Sequence, residues 1–238
     1  MAAAGTKIGD GDRLEAGVPF LCMKGAARSV LRLERTALNF LERLSGIATH
    51  TRRWVEAISG TQARLLDTRK TIPGWRHLEK YAVRAGGAEN HRKSLSDAIL
   101  LKDNHIGVLR SLGRGAVQDW VRSLRSSSPG VFLEVEVDSR EEFLAALHAP
   151  VDAILLDNFS VQDIRWAVQA RDQAMDERPG SKKGHKAPLL EASGGIRLEN
   201  VREVAETGVE RISAGALTHS SAALDIGLDF VRAWDAGS

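Results

Sequence analysis

The chain has 238 residues, enough for one α/β barrel or for two unequal domains. Hydrophobic residues make up 43% of the chain and charged residues 27%, a composition that is typical of a globular protein. The formal net charge of +2 gives no bulk excess of positive charge, so we expect no binding of nucleic acid. No apolar run approaches the ~18 residues that span a bilayer, no signal peptide is visible, and the single Cys22 excludes an intrachain disulfide, which together favour a cytoplasmic protein.

The first part of the chain divides into a glycine-rich stretch and a long helical pattern. Residues 5–32 are rich in turn residues, and we expect short extended pieces there that form a small β-structure. From Leu33 to Ser59 apolar residues recur at helical spacing, which predicts a long helix. Gly46 weakens that pattern locally, so two consecutive helices are also compatible with it.

The rest of the chain alternates short apolar runs with amphipathic stretches. The apolar runs, which we predict to be strands, cover residues 63–68, 98–102, 131–137, 153–157, 188–192 and 211–214. The predicted helices between them cover residues 75–85, 115–124, 139–148, 161–175 and 198–207. This alternation predicts a parallel sheet, and six strands are too few for a regular eight-stranded barrel. We therefore expect an α/β fold with an open, incomplete barrel, and an open doubly wound sheet is the alternative.

Polar residues or glycines follow every predicted strand, at the rim where parallel α/β folds bind their ligands. Five basic residues at this rim form a cationic set, with Arg35 of the long helix as a candidate sixth member. The five are Arg69, Lys70, His91, Arg92 and Lys102. Arginine offers a bidentate fork for carboxylates and lysine a point charge, so the set suits a compact polyanion. An exposed ion pair explains any single member equally well, but not the group.

Glycines and carboxylates complete the predicted rim. Ser193-Gly194-Gly195 precedes a helix, and Gly215 precedes residues 216–221, which are compatible with another; such loops bind phosphate in barrels. Glu136 and Asp157 are candidates to hold Mg²⁺ or sugar hydroxyls. Glu134 lies on the same predicted strand as Glu136, and because side chains alternate we expect only one of the two to face the site. The basic loop 178–188 is interpreted as a solvated insertion.

Several stretches strongly resemble the quinolinate phosphoribosyltransferase family, and they occur in that family's order from about Asp10 to Phe230. They are ERTALNFLERLSGIATHTRR (34–53), LLDTRKTIPGWRHLEKYAVRAGG (65–87), NHR (90–92), LLKDNHI (100–106), LEVEVDS (133–139), ILLDNF (154–159), LEASGGI (190–196) and SAGALTHS (213–220). Together these motifs are highly specific, although no single one of them would be.

The resemblance implies roles for the rim residues. Quinolinate is expected in a basic pocket formed by Arg69, His91, Arg92 and Lys102, with Arg35 contributed by the neighbouring subunit. Lys70, Glu136 and Asp157 are the expected catalytic residues, with Lys70 between the two substrates and the two carboxylates near the ribose and Mg²⁺, bound directly or indirectly. The groups expected to hold phosphoribosyl pyrophosphate are Thr68, Lys70, Glu136, Asp157, Ser193, Gly194, Gly195, Ala214 and Gly215.

The resemblance also implies an architecture and a reaction. The barrel would cover residues 39–220, residues 1–38 would be the remnant of an amino-terminal α/β sandwich, and residues 221–238 would return to it, with a last strand at about Leu224 to Phe230. The working unit would be a homodimer or larger, with shared sites. The expected reaction converts quinolinate and phosphoribosyl pyrophosphate to nicotinate mononucleotide, pyrophosphate and carbon dioxide.

The chain departs from the family in having a much shorter amino-terminal region. Two alternatives therefore stay open. One is a truncated, inactive paralogue that binds a full-length partner. The other is a sibling phosphoribosyltransferase of the type associated with molybdenum transport, which would act on a different acid; the complete cationic set argues against it.

Overall fold

The computed structural model describes residues 8–111, 113, 116–177 and 187–230. Most of the predicted basic insertion, residues 178–186, lies outside these ranges. No helix in the described ranges is both long enough and apolar enough to cross a bilayer.

Six parallel strands form one sheet. They are Arg64–Leu66 (β1), Ala98–Leu101 (β2), Phe132–Val137 (β3), Ala153–Asp157 (β4), Leu189–Ser193 (β5) and Arg211–Ser213 (β6). Their order is β1-β6-β5-β4-β3-β2, and every neighbouring pair is parallel. This cyclic order is that of a barrel, whereas a doubly wound sheet reverses direction at a switch point. Since β1 and β2 do not pair, the barrel is open between them, and the predicted open α/β barrel is confirmed.

Eight helices accompany the strands in the described ranges. They are Ala27–Ala57 (α1), Arg76–Ala85 (α2), Asp103–Ser111 (α3), Ala116–Ser127 (α4), Arg140–Ala146 (α5), Val161–Asp176 (α6), Val201–Ala205 (α7) and Ala216–His219 (α8). Serine side chains begin two of them: the hydroxyl of Ser139 accepts from the Glu142 amide at 3.4 Å, and that of Ser160 accepts from the Asp163 amide at 3.1 Å. Helix α3 was not predicted, since no helix was expected between the predicted strand 98–102 and the predicted helix 115–124.

The core lies between the sheet and its helices. The strands contribute Leu133, Ile154, Leu156, Leu190 and Ile212, each at most 1% exposed. Such continuous apolar runs are typical of parallel strands that are covered on both faces. The tightly packed sheet is therefore a rigid platform for the residues that follow its strands.

A short stretch of main chain extends the sheet at the free edge of β1. The Glu89 amide donates to the Leu65 carbonyl at 2.9 Å, and the Asp67 amide donates to the Glu89 carbonyl at 3.2 Å. Because this bridge is parallel, it carries Asn90 and His91 towards the carboxyl end of β1. The bridge therefore places two polar residues at the opening of the barrel.

Helix α1 is one continuous helix of 31 residues, so the alternative of two helices is wrong. A β-carbon on Gly46 would lie 2.0 Å from the carbonyl oxygen of Ala222, which crosses the helix at that point. The neighbouring Leu224 amide donates to the Glu42 carbonyl at 3.0 Å. Glycine at position 46 is thus a packing requirement and not a helix break. The predicted domain division at residues 38 and 220 stays a prediction.

Two predicted β-elements are wrong. Residues 221–230 form neither helix nor strand, and among the described residues no strand precedes Arg64. A strand needs a neighbouring edge to pair with, and the segment after Ser221 instead lies along α1. Residues 8–26 form irregular structure with glycine turns at Gly11 and Gly17.

We predict that Gly46→Ala lowers the free energy of unfolding by about 1–3 kcal/mol, because the added methyl group displaces the main chain of Ala222. The matched control is Gly107→Ala in α3, where a β-carbon would meet open space. That variant should be stabilised by up to about 1 kcal/mol through helix propensity. Urea unfolding measures both changes, and equal effects at the two positions would contradict the packing assignment.

Candidate active site

The carboxyl ends of the six strands bring the predicted site residues to one rim. Thr68, Arg69 and Lys70 follow β1, and Lys102 follows β2. Glu136 lies near the end of β3, Asp157 ends β4, Ser193 ends β5, and Ala214 and Gly215 follow β6. Parallel pairing alone thus gathers residues that are far apart in the sequence.

The two glutamates of β3 both point into the barrel, so the expectation that only one would do so is wrong. Residues two apart on a strand share a face, and alternation separates only adjacent residues. Glu136 contacts Lys102, with 3.0 Å between Oε2 and Nζ. Glu134 lies deeper, 1% exposed, and contacts His91. The inner face of β3 therefore carries one carboxylate at the mouth and one in the interior.

Asp157 and the Ser193-Gly194-Gly195 loop form a compact unit. Asp157 pairs in register with Ser193, and the Asn158 amide donates to the Ser193 carbonyl at 2.9 Å. Gly194 has a φ of 81°, and a β-carbon there would lie 2.3 Å from Oδ1 of Asn158. Only glycine fits this close approach, which keeps the loop against the end of β4.

Lys70 and Gly215 are also neighbours. A β-carbon on Gly215 would lie 3.0 Å from Cδ of Lys70, and the hydroxyl of Thr218 donates to the Lys70 carbonyl at 2.7 Å. The hydroxyl of Thr68 accepts from the Lys70 amide at 3.0 Å. The loops after the first and last strands therefore converge, as phosphate-binding loops of barrels do.

The cationic set is only partly brought together. Partial burial and then the positive charge of Arg69 lower the pKa of Arg92, so these two guanidinium groups are electrostatic neighbours. The guanidinium of Arg92 donates to the Ala98 carbonyl at 3.1 Å. Arg35, by contrast, is 71% exposed on α1 and lies 3.7 Å from Glu42. Arg35 thus makes no described contact with the rim of its own chain.

His91 points into a buried charge cluster. Its Nε2 lies 3.1 Å from Glu134 and 3.3 Å from Glu191, and Nε of Arg211 lies 2.7 Å from the other oxygen of Glu191. These are ion-pair distances, although the angles are not those of well-formed hydrogen bonds. We name these four side chains the interior cluster. Sequence reasoning considered Glu134 only as an alternative to Glu136, and it assigned no role to Glu191 or Arg211. The spacing of two on β3 and the polar Glu191 within a buried strand were the available signals.

The carboxylates of the interior cluster control the charge of His91. Burial disfavours the imidazolium, but Glu134 and Glu191 outweigh burial and raise the pKa of His91 to about 9. The Arg92 amide, 2.8 Å from Nδ1, favours the neutral ring and works against that rise. Burial and the charge of Glu191 raise the pKa of Glu134. Burial would also raise the pKa of Glu191, but His91 and Arg211 hold it below its ordinary value.

A cavity of about 400 Å³ lies beside the connection from the bridge to β2. Its lining combines basic groups with one aromatic ring: Asn90, His91, Arg92, Lys93, Asp97, Ala98, Phe132 and Arg211. His91 and Arg92 border this space. Ala98, Phe132 and Arg211 are the first residues of β2, β3 and β6, so the cavity lies near the amino ends of the strands and not at the rim.

A second buried ion pair holds the bridge in place. Nζ of Lys80 contacts Oδ1 of Asp67 and donates to the His91 carbonyl at 3.0 Å. The Asp67 carboxylate also accepts from the His91 amide at 2.9 Å and from the side chain of Asn90 at 2.7 Å. Asp67 therefore faces α2 and not the rim. Its partner Lys80 was missed, because sequence spacing does not reveal which helix covers a strand.

The fold and the rim define an α/β-barrel protein equipped to bind small anionic molecules. Residues 47–229 match the family model "Quinolinate phosphoribosyl transferase, C-terminal domain", and residues 2–45 match the model of the N-terminal domain. The chain belongs to the quinolinate phosphoribosyltransferase family.

Individual relatives extend over most of the chain. It is 48% identical over 225 residues to the nicotinate-nucleotide pyrophosphorylase [carboxylating] of Mycobacterium leprae, covering 94% of this chain and 73% of that protein. It is 38% identical over 229 residues to quinolinate phosphoribosyltransferase [decarboxylating] 1 of Nicotiana glauca, covering 93% of this chain and 63% of that protein. The structure of the nicotinate-nucleotide pyrophosphorylase from Francisella tularensis superposes with a TM-score of 0.81 at 40% identity, covering 92% of this chain and 71% of that one.

We predict that Lys80→Met lowers the free energy of unfolding by about 3–5 kcal/mol, because it leaves the buried Asp67 carboxylate without its cationic partner. The double variant Asp67→Asn/Lys80→Met should be less destabilised than Lys80→Met alone. The control is Arg64→Met, which removes a pair to Glu89 whose side chains are 69% and 53% exposed and should cost about 0–1 kcal/mol. Urea unfolding measures these losses. An equal loss of the free energy of unfolding in Arg64→Met and Lys80→Met would show that burial does not make the pair of Asp67 and Lys80 more important than an exposed pair.

Proposed function

We propose that the chain transfers the phosphoribosyl group of phosphoribosyl pyrophosphate to quinolinate, with loss of one carboxyl group as carbon dioxide. The product is nicotinate mononucleotide, a precursor in NAD biosynthesis. The observation that carries this proposal is the rim itself, where cationic side chains, two carboxylates and two glycine-containing loops converge in a member of this family. The names of the relatives from M. leprae and N. glauca describe the same chemistry.

The quinolinate pocket is proposed to contain Arg69, His91, Arg92 and Lys102. Burial and the positive charge of Arg69 lower the pKa of Arg92, whereas Glu134 and Glu136 raise it, and a bound carboxylate would further stabilise the two guanidinium groups. A dianionic aromatic acid would supply two such carboxylates. Arginines that align two carboxylates would also fix the ring nitrogen close to the carbon it attacks.

Phosphoribosyl pyrophosphate is proposed to bind across the converging loops. Ser193, Gly194 and Gly195 form one side of this site, and the loop from Thr68 to Lys70 with Ala214 and Gly215 forms the other. Main-chain amides in such loops bind phosphate without large side chains. Lys70 would lie between the two substrates, as its contact with Gly215 supports.

Glu136 and Asp157 are proposed to hold Mg²⁺. Both are carboxylates on adjacent strands at the mouth. Glu136 accepts from the cationic Lys102, and Asp157 accepts from the neutral side chain of Asn158. Two carboxylates that do not form a closed cage fit Mg²⁺, which usually completes its coordination with water and substrate phosphates. When bound, the ion would neutralise negative charge on the leaving pyrophosphate.

The reaction follows from these contacts. The ring nitrogen forms a bond to the anomeric carbon as the bond from that carbon to pyrophosphate breaks, and Lys70 is placed to stabilise the departing negative charge. The alkylated ring nitrogen then withdraws electrons, so the adjacent carboxylate leaves as carbon dioxide. The electron pair stays on the ring carbon, which takes up a proton. No covalent bond to the protein is required.

A homodimer or larger assembly with shared sites is proposed from the amino-terminal part of α1. Leu31 and Leu33 there are 68% and 62% exposed, which is costly for a helix in water. Arg35 lies on the same exposed stretch and does not reach its own rim. A second subunit would bury the leucines and receive Arg35 in its quinolinate pocket. The single cysteine supports a cytoplasmic location.

The purified chain is predicted to release carbon dioxide and form nicotinate mononucleotide in equal amounts when supplied with quinolinate, phosphoribosyl pyrophosphate and Mg²⁺. Isotopic carbon dioxide from carboxyl-labelled quinolinate and chromatography of the nucleotide measure the two products. Lys70→Met is the control for background decarboxylation. A folded preparation without turnover would favour the inactive paralogue, and turnover only with another aromatic acid would favour the sibling enzyme.

Shared sites are predicted to show complementation between Arg35→Ala and Lys70→Ala. Each variant alone should be nearly inactive, because each loses one half of every site. After subunit exchange, mixed dimers carry one intact site, so the mixture should regain about a quarter of the unaltered activity. Activity that stays at the mean of the two separate variants would show that Arg35 does not act across an interface.

A further inference from the structure

The interior cluster lies below the rim, and three of its members, Glu134, Glu191 and Arg211, have no role in the reaction as described so far. Glu134 and Glu191 are 1% and 0% exposed, and His91 is 8% exposed. Arg211 is 17% exposed and lies over the ring of Phe132 at 5.1 Å. The four charged groups therefore occupy the barrel interior, where apolar side chains would ordinarily pack.

Charge in such a place needs a reason. Removing a charge from water is costly, and well-packed apolar residues often stabilise a protein as much as a buried ion pair does. In some proteins, buried ionic groups fix one conformation without adding stability. The ligand atoms of His91, Glu134 and Glu191 lie within 4.8 Å of one another, but Arg211 already supplies positive charge to this group.

The geometry that the cluster fixes is that of His91. The ring is held by Glu134 and Glu191, which come from two strands separated by β4. The main chain of His91 is held independently, by Asp67 at its amide and by Lys80 at its carbonyl. His91 is thus fixed at both its ring and its backbone.

The main chain at Arg92 is also held in place, because Arg92 directly follows His91 in the sequence. Its side chain donates to the Ala98 carbonyl at the start of β2, so the guanidinium is directed across the opening of the barrel. A shift of the His91 ring would rotate the main chain at residue 92 and move that guanidinium. The strands that carry Glu191 and Arg211 also lead into loops assigned to phosphoribosyl pyrophosphate. No described hydrogen bond or ion pair joins those loops to His91 or Arg92, so a shift of the His91 ring would leave them in place.

We propose that Glu134, Glu191 and Arg211 are positioning residues that act through His91 on Arg92 and so set the affinity for the aromatic dicarboxylate. This inference rests on the proposed function and deepens it. It assigns substrate selectivity to groups that do not touch the substrate. The affinity for phosphoribosyl pyrophosphate is independent of the cluster.

The test is a double-mutant cycle with Glu191→Gln, His91→Gln and the double variant, in the full-length chain. Quinolinate affinity is measured by calorimetry, and the KM values of both substrates by assay. Glu191→Gln is expected to weaken quinolinate binding about ten- to hundredfold, as for loss of a contact between charged groups, with the KM for phosphoribosyl pyrophosphate unchanged. The double variant should be no weaker than His91→Gln, because Glu191 acts through His91.

Glu210→Gln is the matched control. Glu210 pairs with Arg171 at 2.7 Å and accepts from the Leu190 amide at 2.9 Å, outside the interior cluster. This variant should lose thermal stability and keep its quinolinate affinity. If Glu191→Gln does not fold, Arg211→Lys serves in the same cycle.

Two results would overturn the inference. One is additive effects of Glu191→Gln and His91→Gln on quinolinate affinity. The other is an equal loss of affinity for both substrates in Glu191→Gln, which is the behaviour of a purely structural residue. Failure of the unaltered chain to bind quinolinate would instead overturn the proposed function.

Discussion

The buried pair of Asp67 and Lys80 is the interaction on which the arrangement of the site depends. The barrel is open between β1 and β2, and the bridge at Glu89 to His91 is the main chain that enters this gap. Asp67 uses both carboxylate oxygens to hold that bridge, and Lys80 neutralises the charge of Asp67. Asp67 is 0% exposed and Lys80 is 2% exposed. Burial raises the pKa of Asp67 and lowers the pKa of Lys80, because it disfavours the charged form of each group. The attraction between the two charges offsets part of this cost of burial.

From this anchor the barrel organises charge in two layers. The interior cluster fixes His91, and the rim above it presents cations and carboxylates to ligands. In the rim, burial and the charge of Arg69 lower the pKa of Arg92, while Glu134 and Glu136 raise it, so Arg92 lies among charges of both signs before a ligand binds. Such preorganisation reduces the free energy spent on ordering side chains when substrate binds. Because the barrel interior is rigid, Glu134 and Glu191 can set the position of Arg92 through His91.

Much of this architecture is predictable from the sequence. All six strands and the rim follow from the alternation of apolar runs and helices, because parallel pairing places every strand end at one edge. Long-range partners were not predictable: nothing in the spacing pairs Asp67 with Lys80, or shows that Ala222 crosses Gly46. The expected strand at Leu224 to Phe230 failed because strand propensity means little without an edge to pair with. The glutamates of β3 were misjudged although their spacing of two gives the correct answer.

If the cationic rim binds quinolinate, loss of the Arg92 guanidinium should weaken that binding, and calorimetry of quinolinate with Arg92→Ala measures the change. Arg122→Ala is the matched control, since Arg122 is 70% exposed on α4 and lies beside Asp119. Arg92→Ala is expected to bind quinolinate about ten- to hundredfold more weakly, with unchanged affinity for phosphoribosyl pyrophosphate, while Arg122→Ala should behave as the unaltered chain. Unchanged quinolinate affinity in a folded Arg92→Ala protein would contradict the account.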